Sequence, residues 1–305
     1  MKWKKIGLIA SPKQFNLKWW NSYGMDPCTL KLYGDLYRVF FCGRNSKNIS
    51  MIGYFDYDLK KLEIKKISKK PVLAPGELGA FDDNGVTASC LQKIKNVIYL
   101  YYIGWKPKST TRYSLMTGLA ISKNNGQSFK RYSRSPILKL TNKEPFSILT
   151  APYVMKIKQN KWFMWYVSCN KWVNKDYPKY DIKFATSKDG KDWFQGGLTS
   201  IKLKKNERAV ARPSVLFEGG IYKMWFCYEK KVGKYKIGYA ESKNGINWNR
   251  KDYKANIYLG KKSNGDDKMI AYPHVINHKG KKYMFYNGND YGKEGVFLAS
   301  EVKKK

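Results

Sequence analysis

The sequence predicts an all-β fold, a five-bladed β-propeller with four-stranded blades, from three observations. First, one pattern recurs five times at steps of about sixty residues: a small or polar residue, then Pro or Ser, then alternating apolar residues. Second, short aromatic and β-branched runs follow each anchor, as in strands. Third, turn residues separate these runs, and the repeats account for residues 1–305 as a single domain. The anchors are Pro27, Ser89, Pro152, Pro213 and Pro273.

Each repeat supplies three recognisable strands. The inner strands are expected to begin near residues 26, 88, 151, 212 and 272, and each is followed by an aromatic strand such as YRVFFCGR (37–44). The fifth repeat stops after its third strand, at Ser300, whereas an extra apolar stretch, Trp3 to Ala10, precedes the first repeat. We therefore expect the N-terminal strand to complete the last blade and to cover an open sheet edge.

Three repeats carry a short polar turn that ends in an aromatic residue. Small polar residues and Gly suit a tight turn, and the closing ring is expected to pack between blades. The pattern resembles an Asp-box hairpin and is interpreted as structural, because it lacks the Asp spacing and closing Glu of a calcium loop. The turns are SKNNGQSF (122–129), SKDGKDW (187–193) and SKNGINW (242–248).

The charge balance is strongly basic. Lys and Arg total 59 and Asp and Glu total 23, which gives a formal charge of +36. Such a balance favours anionic partners, whether nucleic acid, a membrane surface or an acidic polysaccharide. Because the Lys residues are spread along the whole chain and no nucleic-acid-binding motif occurs, they are interpreted chiefly as a solvated surface, and no specific nucleic acid is expected.

The chain is expected to be cytoplasmic. Five cysteines without a CxxC spacing are interpreted as buried free thiols in a reducing compartment, and they imply no disulfide framework or zinc site. The apolar stretch near the N-terminus is shorter than the core of a signal peptide. No run approaches the roughly 18 apolar residues of a membrane span, so no transmembrane segment is predicted. The sequence does not indicate an oligomeric state.

The candidate site follows from the predicted geometry. All inner strands of a propeller run the same way, so residues at or just before the anchors should meet at one mouth of the central channel. Carboxylates that converge in a concave site can cleave a glycoside, one as acid and the other as nucleophile or base. The carboxylates expected at or near this mouth include Asp26, Asp83 and Glu207.

Other polar and aromatic residues at this mouth are expected to bind the substrate. Arg offers a planar fork for carboxylate or phosphate, and Trp can stack on a sugar face. The alternative stays open that each Arg pairs with a neighbouring acid to hold the blades and that the His is a packing residue. No metal or cofactor is predicted, although a single channel ion is left open. The expected binding residues are Arg44, Asp82, Trp105, Arg208, Arg212, His274 and Asn287.

The sequence resembles the five-bladed glycosidase superfamily over nearly its whole length. The resemblance is carried by Asp26-Pro27, by five repeats of this length, and by FDDNGV (81–86) and YLYYIGW (99–105). That group includes the arabinanase/xylosidase, invertase/levansucrase and mannoside phosphorylase families. The resemblance implies that Asp26 is the blade-one base or nucleophile. On the same basis Asp83 is expected to be the acid or a stabiliser, and Glu207 the acid.

The middle blades depart from the arabinanase pattern. Arabinanase-like members carry an acid before the blade-three Pro and a Glu just before the blade-four Pro, where this chain has Ala151 and Ala211-Arg212. The Asp82-Asp83 pair is more similar to members whose acid comes from an early blade, phosphorylases among them.

The predicted function is a glycoside hydrolase-like enzyme that cleaves a glycosidic bond with paired carboxylates at the central channel, and a transferase is left open. The candidate substrates are an acidic sugar and a sugar of a bacterial surface polysaccharide. One alternative is an inverting phosphorylase with phosphate bound by Arg and His. Another is a non-catalytic carbohydrate-binding propeller. Because the residue before each anchor differs from blade to blade, one central site is favoured over five equivalent sites.

Overall fold

The structure is a computed structural model, and it describes residues 2–302. Twenty strands make up nearly all of its regular structure, which confirms the predicted all-β class. The helical segments within this range are two 3₁₀ turns, Pro12–Gln14 and Asp252–Lys254, and one helical turn, α1 (Asn289–Gly292).

The strands form five units of four antiparallel strands each, and the units follow one another along the chain. The first strand of each unit is called its inner strand and the last its outer strand. Unit one contains β2 (Ser22–Tyr33), β3 (Leu36–Arg44), β4 (Ser50–Asp58) and β5 (Glu63–Ile67). Unit two contains β6 (Val86–Ile94), β7 (Val97–Pro107), β8 (Tyr113–Ser122) and β9 (Lys130–Arg131). Unit three contains β10 (Ile148–Lys158), β11 (Lys161–Trp172), β12 (Pro178–Ser187) and β13 (Phe194–Ile201). Unit four contains β14 (Ala209–Glu218), β15 (Ile221–Glu229), β16 (Lys236–Ser242) and β17 (Asn249–Arg250). Unit five contains β18 (Ala271–His278), β19 (Lys281–Asn287), β20 (Val296–Glu301) and β1 (Trp3–Ala10).

The N-terminal strand pairs with the last strand of the chain. β1 runs antiparallel to β20, with Trp3 opposite Glu301 and Ala10 opposite Val296. Units one and five are separate four-stranded sheets, whereas short parallel pairings of β8 with β10 and of β12 with β14 join the middle three units. The inner strands contact one another in the order β2, β6, β10, β14, β18 and back to β2.

Neighbouring units are held together by apolar residues. The second strands, such as β3, are buried along almost their entire length, which suits their aromatic and β-branched sequences. A separate buried cluster lies at each junction between consecutive units, including the junction between units five and one. All five cysteines are buried and unpaired, as predicted.

The three polar turns pack as the sequence predicts. Phe129 of the first turn lies edge-on against Phe40 of unit one, Trp193 against Tyr101 of unit two, and Trp248 against Trp165 of unit three. In each turn the Ser hydroxyl accepts a hydrogen bond from the Gly N–H, at 2.8–2.9 Å. The turns therefore attach each of units two, three and four to the unit before it.

Candidate functional site

A central cleft of about 470 Å³ lies where the beginnings of the inner strands meet, and all five units contribute to it. Its lining combines arginines and aromatic rings with two carboxylates, Asp26 and Asp176. A second cavity of about 490 Å³, near β1 and β5, is lined by apolar residues with Gln14 and Tyr57, and no Asp, Glu, Lys or Arg lines it. We therefore take the central cleft as the candidate site.

The residue before each anchor proline has an unusual backbone conformation. Asp26, Ala151, Arg212 and Tyr272 have φ values between 47° and 57°, in the left-handed region that residues other than Gly rarely adopt. The strand pairing is irregular at each of these positions, as expected for a β-bulge, which redirects a side chain. All four residues line the cleft.

Asp26 is the buried carboxylate of the cleft. Its Oδ1 lies 2.8 Å from Nε of Arg212. Burial raises the pKa of Asp26 above its ordinary value, and the opposing attraction of Arg212 and Arg44 does not cancel this effect. Asn287 fixes the backbone here, because its Oδ1 accepts a hydrogen bond from Asp26 N at 2.9 Å. Asn287 is itself fully buried, so it positions Asp26 and does not line the cleft.

Arg212 spans the cleft from unit four to units one and two. Besides contacting Asp26, its Nη1 donates to the backbone oxygen of Ser89 at 2.9 Å and to Ser89 Oγ at 2.6 Å. Its Nη2 donates to Ala88 O at 3.2 Å, and Ser89 Oγ donates to Pro152 O of unit three. The guanidinium and its partners thus form the floor of the cleft.

Arg208 supports an aromatic wall. Its Nε donates to Glu229 Oε1 at 2.9 Å, and Nη2 donates to the Tyr180 hydroxyl at 3.1 Å. The hydroxyls of Tyr180 and Tyr235 lie 2.6 Å apart. Burial raises the pKa of both phenols, so both are protonated at neutral pH. Tyr291 stands edge-on to Tyr235 and continues the wall into unit five.

Trp105 and Arg44 also line the cleft, on units two and one. The Trp105 ring lies 4.7 Å from the Tyr113 ring, and Tyr113 in turn stands edge-on to Trp172. The guanidinium of Arg44 lies 4.3 Å from the Tyr23 ring centroid.

Asp83 and Glu207, which were expected to be catalytic, do not line the cleft, and neither does Asp82. Both carboxylate oxygens of Glu207 accept hydrogen bonds from Arg250 of the outer strand β17. Asp82 accepts from the Tyr102 hydroxyl and from Arg131 of β9.

Asp83 accepts from Lys106 and from the backbone of Gly79, each at 2.9 Å. Burial acts to raise the pKa of Asp83, but these hydrogen bonds outweigh it and lower the pKa, which is unfavourable for an acid.

Glu207 and Asp82 belong to a repeated structural set, which we call the loop carboxylates. Each member lies in the loop before an inner strand and binds a Tyr of the second strand, a basic residue of the outer strand, or both. In unit five, Asp266 accepts from Tyr286 and from Lys5 of β1, as Asp82 does from Tyr102 and Arg131. The set is Asp82, Glu144, Glu207 and Asp266.

His274 is buried below the cleft and does not line it. Its Nε2 accepts a hydrogen bond from the backbone N–H of Thr29 at 3.1 Å. Burial, reinforced by the charge of Arg212, lowers the pKa of His274 to about 3, so the ring is neutral. This contact joins units five and one, which agrees with the packing alternative for this residue.

Several cleft residues were not among the sequence candidates. Tyr113, Tyr180 and Tyr235 lie within two residues of the start of the third strand in three successive units, a recurrence that could have indicated them. Arg112 and Asp176 lie on hairpin loops, where no repeated pattern identifies them.

Two mycobacterial proteins are similar to the chain over nearly its whole length. The uncharacterized protein Rv1502 of Mycobacterium tuberculosis (strain ATCC 25618 / H37Rv) is 34% identical over 302 residues, which cover 98% of this chain and 99% of that protein. The chain belongs to the Rv1502 family. The uncharacterized protein MT1551 of strain CDC 1551 / Oshkosh matches with the same identity and coverage. No family model matches the chain.

Solved structures show which fold this Rv1502-family chain has. A glycoside hydrolase superposes with a TM-score of 0.77 at 18% identity, over 98% of this chain and 92% of that one. A thermostable family-43 glycoside hydrolase gives 0.68 at 15% identity, over 93% and 91%. A structure from work on the GH130 family of mannoside phosphorylases, which contains glycoside hydrolases that target β-1,2 mannosidic linkages in Candida mannan, gives 0.69 at 13% identity, over 100% and 95%. The chain therefore has the fold of these glycoside-processing proteins.

Two features are absent from residues 2–302. Across this range, no three His, Cys, Asp or Glu side chains are grouped so as to hold a metal ion. Nor does it contain a helix of the length and apolarity that a membrane crossing requires.

Proposed function

We propose that residues 1–305 form a single five-bladed β-propeller in which each four-stranded unit is one blade. The cyclic contacts among the five inner strands support this arrangement. The pairing of β1 with β20 supports closure of the last blade by the N-terminal strand. In this arrangement the central cleft is the mouth of the channel.

The proposed function is cleavage of a glycosidic bond in the central cleft. The observation that carries it is the position of Asp26, a carboxylate on the floor of a cleft with aromatic walls, held by a left-handed backbone and by Asn287. Strained backbone of this kind clusters at functional sites. The fold shared with three glycoside-processing proteins supports the class of reaction.

In the proposed reaction, Asp26 transfers a proton during cleavage of the glycosidic bond, and the cleft walls orient the sugar. Burial raises the pKa of Asp26, so this group keeps a proton at a pH closer to neutral than an ordinary Asp does. A raised pKa suits a residue that must donate and accept a proton near neutral pH. The faces of Trp105 and Tyr113 suit stacking on sugar rings. Tyr180 and Tyr235 are protonated, and because one of the two hydroxyls donates to the other, one O–H is left to donate to a sugar hydroxyl.

Phosphorolysis is the second candidate, and one observation favours it. The cleft contains only one buried carboxylate within the described range, because Asp82, Asp83 and Glu207 are bound to basic residues outside it. Hydrolysis by paired carboxylates requires a second one. Phosphate is itself a nucleophile, and arginine side chains bind it well.

The decisive experiment compares Asp26→Asn with Asp83→Asn in the full chain. Both variants are incubated with mannoside, arabinoside and fructoside oligosaccharides, with and without inorganic phosphate. We expect wild type and Asp83→Asn to cleave one class equally, and Asp26→Asn to lose about 100-fold or more of kcat because proton transfer is removed. Release of reducing sugar without phosphate indicates hydrolysis, and a phosphate-dependent sugar phosphate indicates phosphorolysis.

Full activity of a folded Asp26→Asn variant contradicts the assignment of Asp26. Oligosaccharide binding without any cleavage favours instead the non-catalytic carbohydrate-binding propeller. Circular dichroism and the melting temperature of each variant separate loss of chemistry from loss of fold.

A further inference from the structure

Three of the four arginines that line the cleft already have a carboxylate partner. Two of these pairs are buried, and the third lies at the exposed rim with its nitrogen and oxygen 4.0 Å apart. With its carboxylate ionised, each pair is formally neutral and gives the cleft no net positive charge. The pairs are Arg212–Asp26, Arg208–Glu229 and Arg112–Asp176.

Arg44 is the exception. No carboxylate oxygen of residues 2–302 lies within 4.0 Å of its guanidinium nitrogens, and its Nε is buried without a hydrogen-bond partner. Nη1 donates to Asn48 Oδ1 at 3.0 Å, and within residues 2–302 the one hydrogen-bond acceptor of Nη2 is the Met25 sulfur, at 3.9 Å. Because Arg stays charged in proteins, the cleft holds a partly desolvated cation that no carboxylate of residues 2–302 contacts directly.

The local backbone holds Arg44 in place. Tyr23, on which the guanidinium stacks, has φ of 61°, a conformation that is strained for a bulky residue. Trp20 Nε1 donates to the Tyr23 carbonyl, and the Arg44 carbonyl accepts from Asn21 N at 2.8 Å. The two chain segments are thus fixed against each other, so ordering the Arg44 fork on binding costs little entropy.

We propose, on the basis of the function above, that Arg44 binds an anionic group of the molecule that occupies the cleft. A carboxylate or a phosphate fits, because either accepts two parallel hydrogen bonds from a guanidinium. The anion is either part of the carbohydrate, as in a uronic acid or a sugar phosphate, or a free phosphate bound beside a neutral sugar. Arg44 contacts the side chain of Met25, the residue before Asp26, and both Arg44 and Asp26 line the cleft, so the anion would sit near the reacting bond.

The test is a calorimetric titration of the full chain at about 50 mM salt, where electrostatic attraction is weakly screened. The probes are galacturonate, glucuronate and mannuronate oligosaccharides, each paired with its methyl-esterified neutral form, together with mannose 6-phosphate, mannose and inorganic phosphate. We expect at least one acidic probe to bind tenfold or more tightly than its neutral counterpart, or inorganic phosphate itself to bind.

Three variants assign the effect. Arg44→Gln is expected to remove the preference for the acidic probe, and Arg44→Lys to retain part of it, because Lys keeps the charge without the planar fork. Arg134→Gln, an equal change of charge at an exposed Arg paired with Glu77 outside the cleft, is expected to retain the preference fully. Preference for an acidic sugar places the anion on the carbohydrate, and Arg44-dependent binding of phosphate alone assigns it to the free ion.

Two results overturn the proposal. One is that no acidic probe and no phosphate binds at millimolar concentration. The other is that the preference survives in a folded Arg44→Gln variant. The proposed function and the anion site can fail separately. Arg44-dependent binding without any cleavage contradicts the proposed function and leaves the anion site supported. Asp26-dependent cleavage of a neutral sugar that does not depend on Arg44 contradicts the anion site alone.

Discussion

The residue before each anchor proline has the same backbone conformation in four units but a different side chain in each. Asp26, Ala151, Arg212 and Tyr272 share a left-handed conformation that directs each side chain into the cleft. The repeat supplies that geometry four times, whereas the side chains differ. Because only Asp26 and Arg212 are charged, the ion pair forms once and the cleft has a single polar floor.

The sequence predicted the position of some residues of the candidate site. Asp26 and Arg212 could be predicted because they are fixed next to an anchor proline, and Arg44, Trp105 and Arg208 also line the cleft as expected. Asp82 and Glu207 could not be placed from proximity to the anchors, because a loop can turn either way. Their partners on the outer strands appear much later in the sequence, so only the folded chain brings them together.

His274 allows a prediction about pH at the residue scale. Its pKa of about 3 in the folded chain lies below the ordinary 6.5, so between these values the unfolded chain binds a proton that the folded chain does not. Stability attributable to His274 is therefore lost as the pH falls through this window, by about 1.4 kcal/mol per pH unit. Urea unfolding at pH 7.5 and 5.0 should show that His274→Gln loses about 2 kcal/mol less than wild type between these conditions.

Gln can still accept the hydrogen bond from Thr29 N, which makes it a suitable replacement. An identical pH dependence of wild type and His274→Gln would show that the histidine takes up its proton in the folded chain. The comparison uses only the difference between two pH values, so an overall loss of stability in the variant does not affect it.

At the scale of elements, the loop carboxylates attach the connection between units to the strands of the following unit. We expect Asp82→Ala to lower the free energy of unfolding by about 2 to 4 kcal/mol, because Tyr102 and Arg131 lose a buried partner. The adjacent Asp83→Ala, which loses one partly exposed ion pair and a backbone hydrogen bond, is expected to cost about 1 kcal/mol or less. Urea unfolding at neutral pH measures both values.

Equal costs for the two variants would contradict the assignment of Asp82 to the loop carboxylates. Ligand binding provides a second readout, because neither carboxylate lines the cleft. Whichever probe the wild type binds, both variants should bind it with unchanged affinity under conditions where they are folded.

The strands themselves were largely predictable. Inner and second strands carry aromatic and β-branched runs, and each observed inner strand begins within four residues of the expected position. The outer strands β9 (Lys130–Arg131) and β17 (Asn249–Arg250) are two residues long and polar, so they leave no recognisable pattern. Pairing with the third strand, and not local preference, creates them.

At the scale of the whole molecule, the excess of basic residues affects how the cleft must be studied. A formal charge of +36 attracts anions over the entire surface, and such attraction weakens as salt is added. Binding of an acidic probe is therefore meaningful only when compared with a charge change elsewhere, which is the purpose of Arg134→Gln.

The contribution of β1 to the whole molecule can be measured with two neighbouring substitutions. Trp3 is buried, donates through Nε1 to Ala255 O at 2.9 Å, and stands edge-on to Trp225 of unit four. We expect Trp3→Ala to lower the free energy of unfolding by about 3 to 5 kcal/mol, through lost burial and a cavity. Lys4→Ala, at an exposed position of the same strand, should stay within about 0.5 kcal/mol of wild type.

Guanidinium unfolding followed by tryptophan fluorescence and by circular dichroism gives both values. If Trp3→Ala is as stable as Lys4→Ala, the packing of β1 contributes no measurable stability. The proposed closure of the last blade then has no energetic support.

The pairing of Trp3 with Glu301 also has a consequence for the living cell. A ribosome that adds roughly 5 to 20 residues per second takes roughly 15 to 60 s to synthesise the polymer between those two positions. Until β20 has been synthesised, β1 has no partner strand, and once β1 has left the exit tunnel its apolar side chains can contact other nascent chains. Translation speed and the chaperones that shield new polypeptides therefore bear on the yield of this protein.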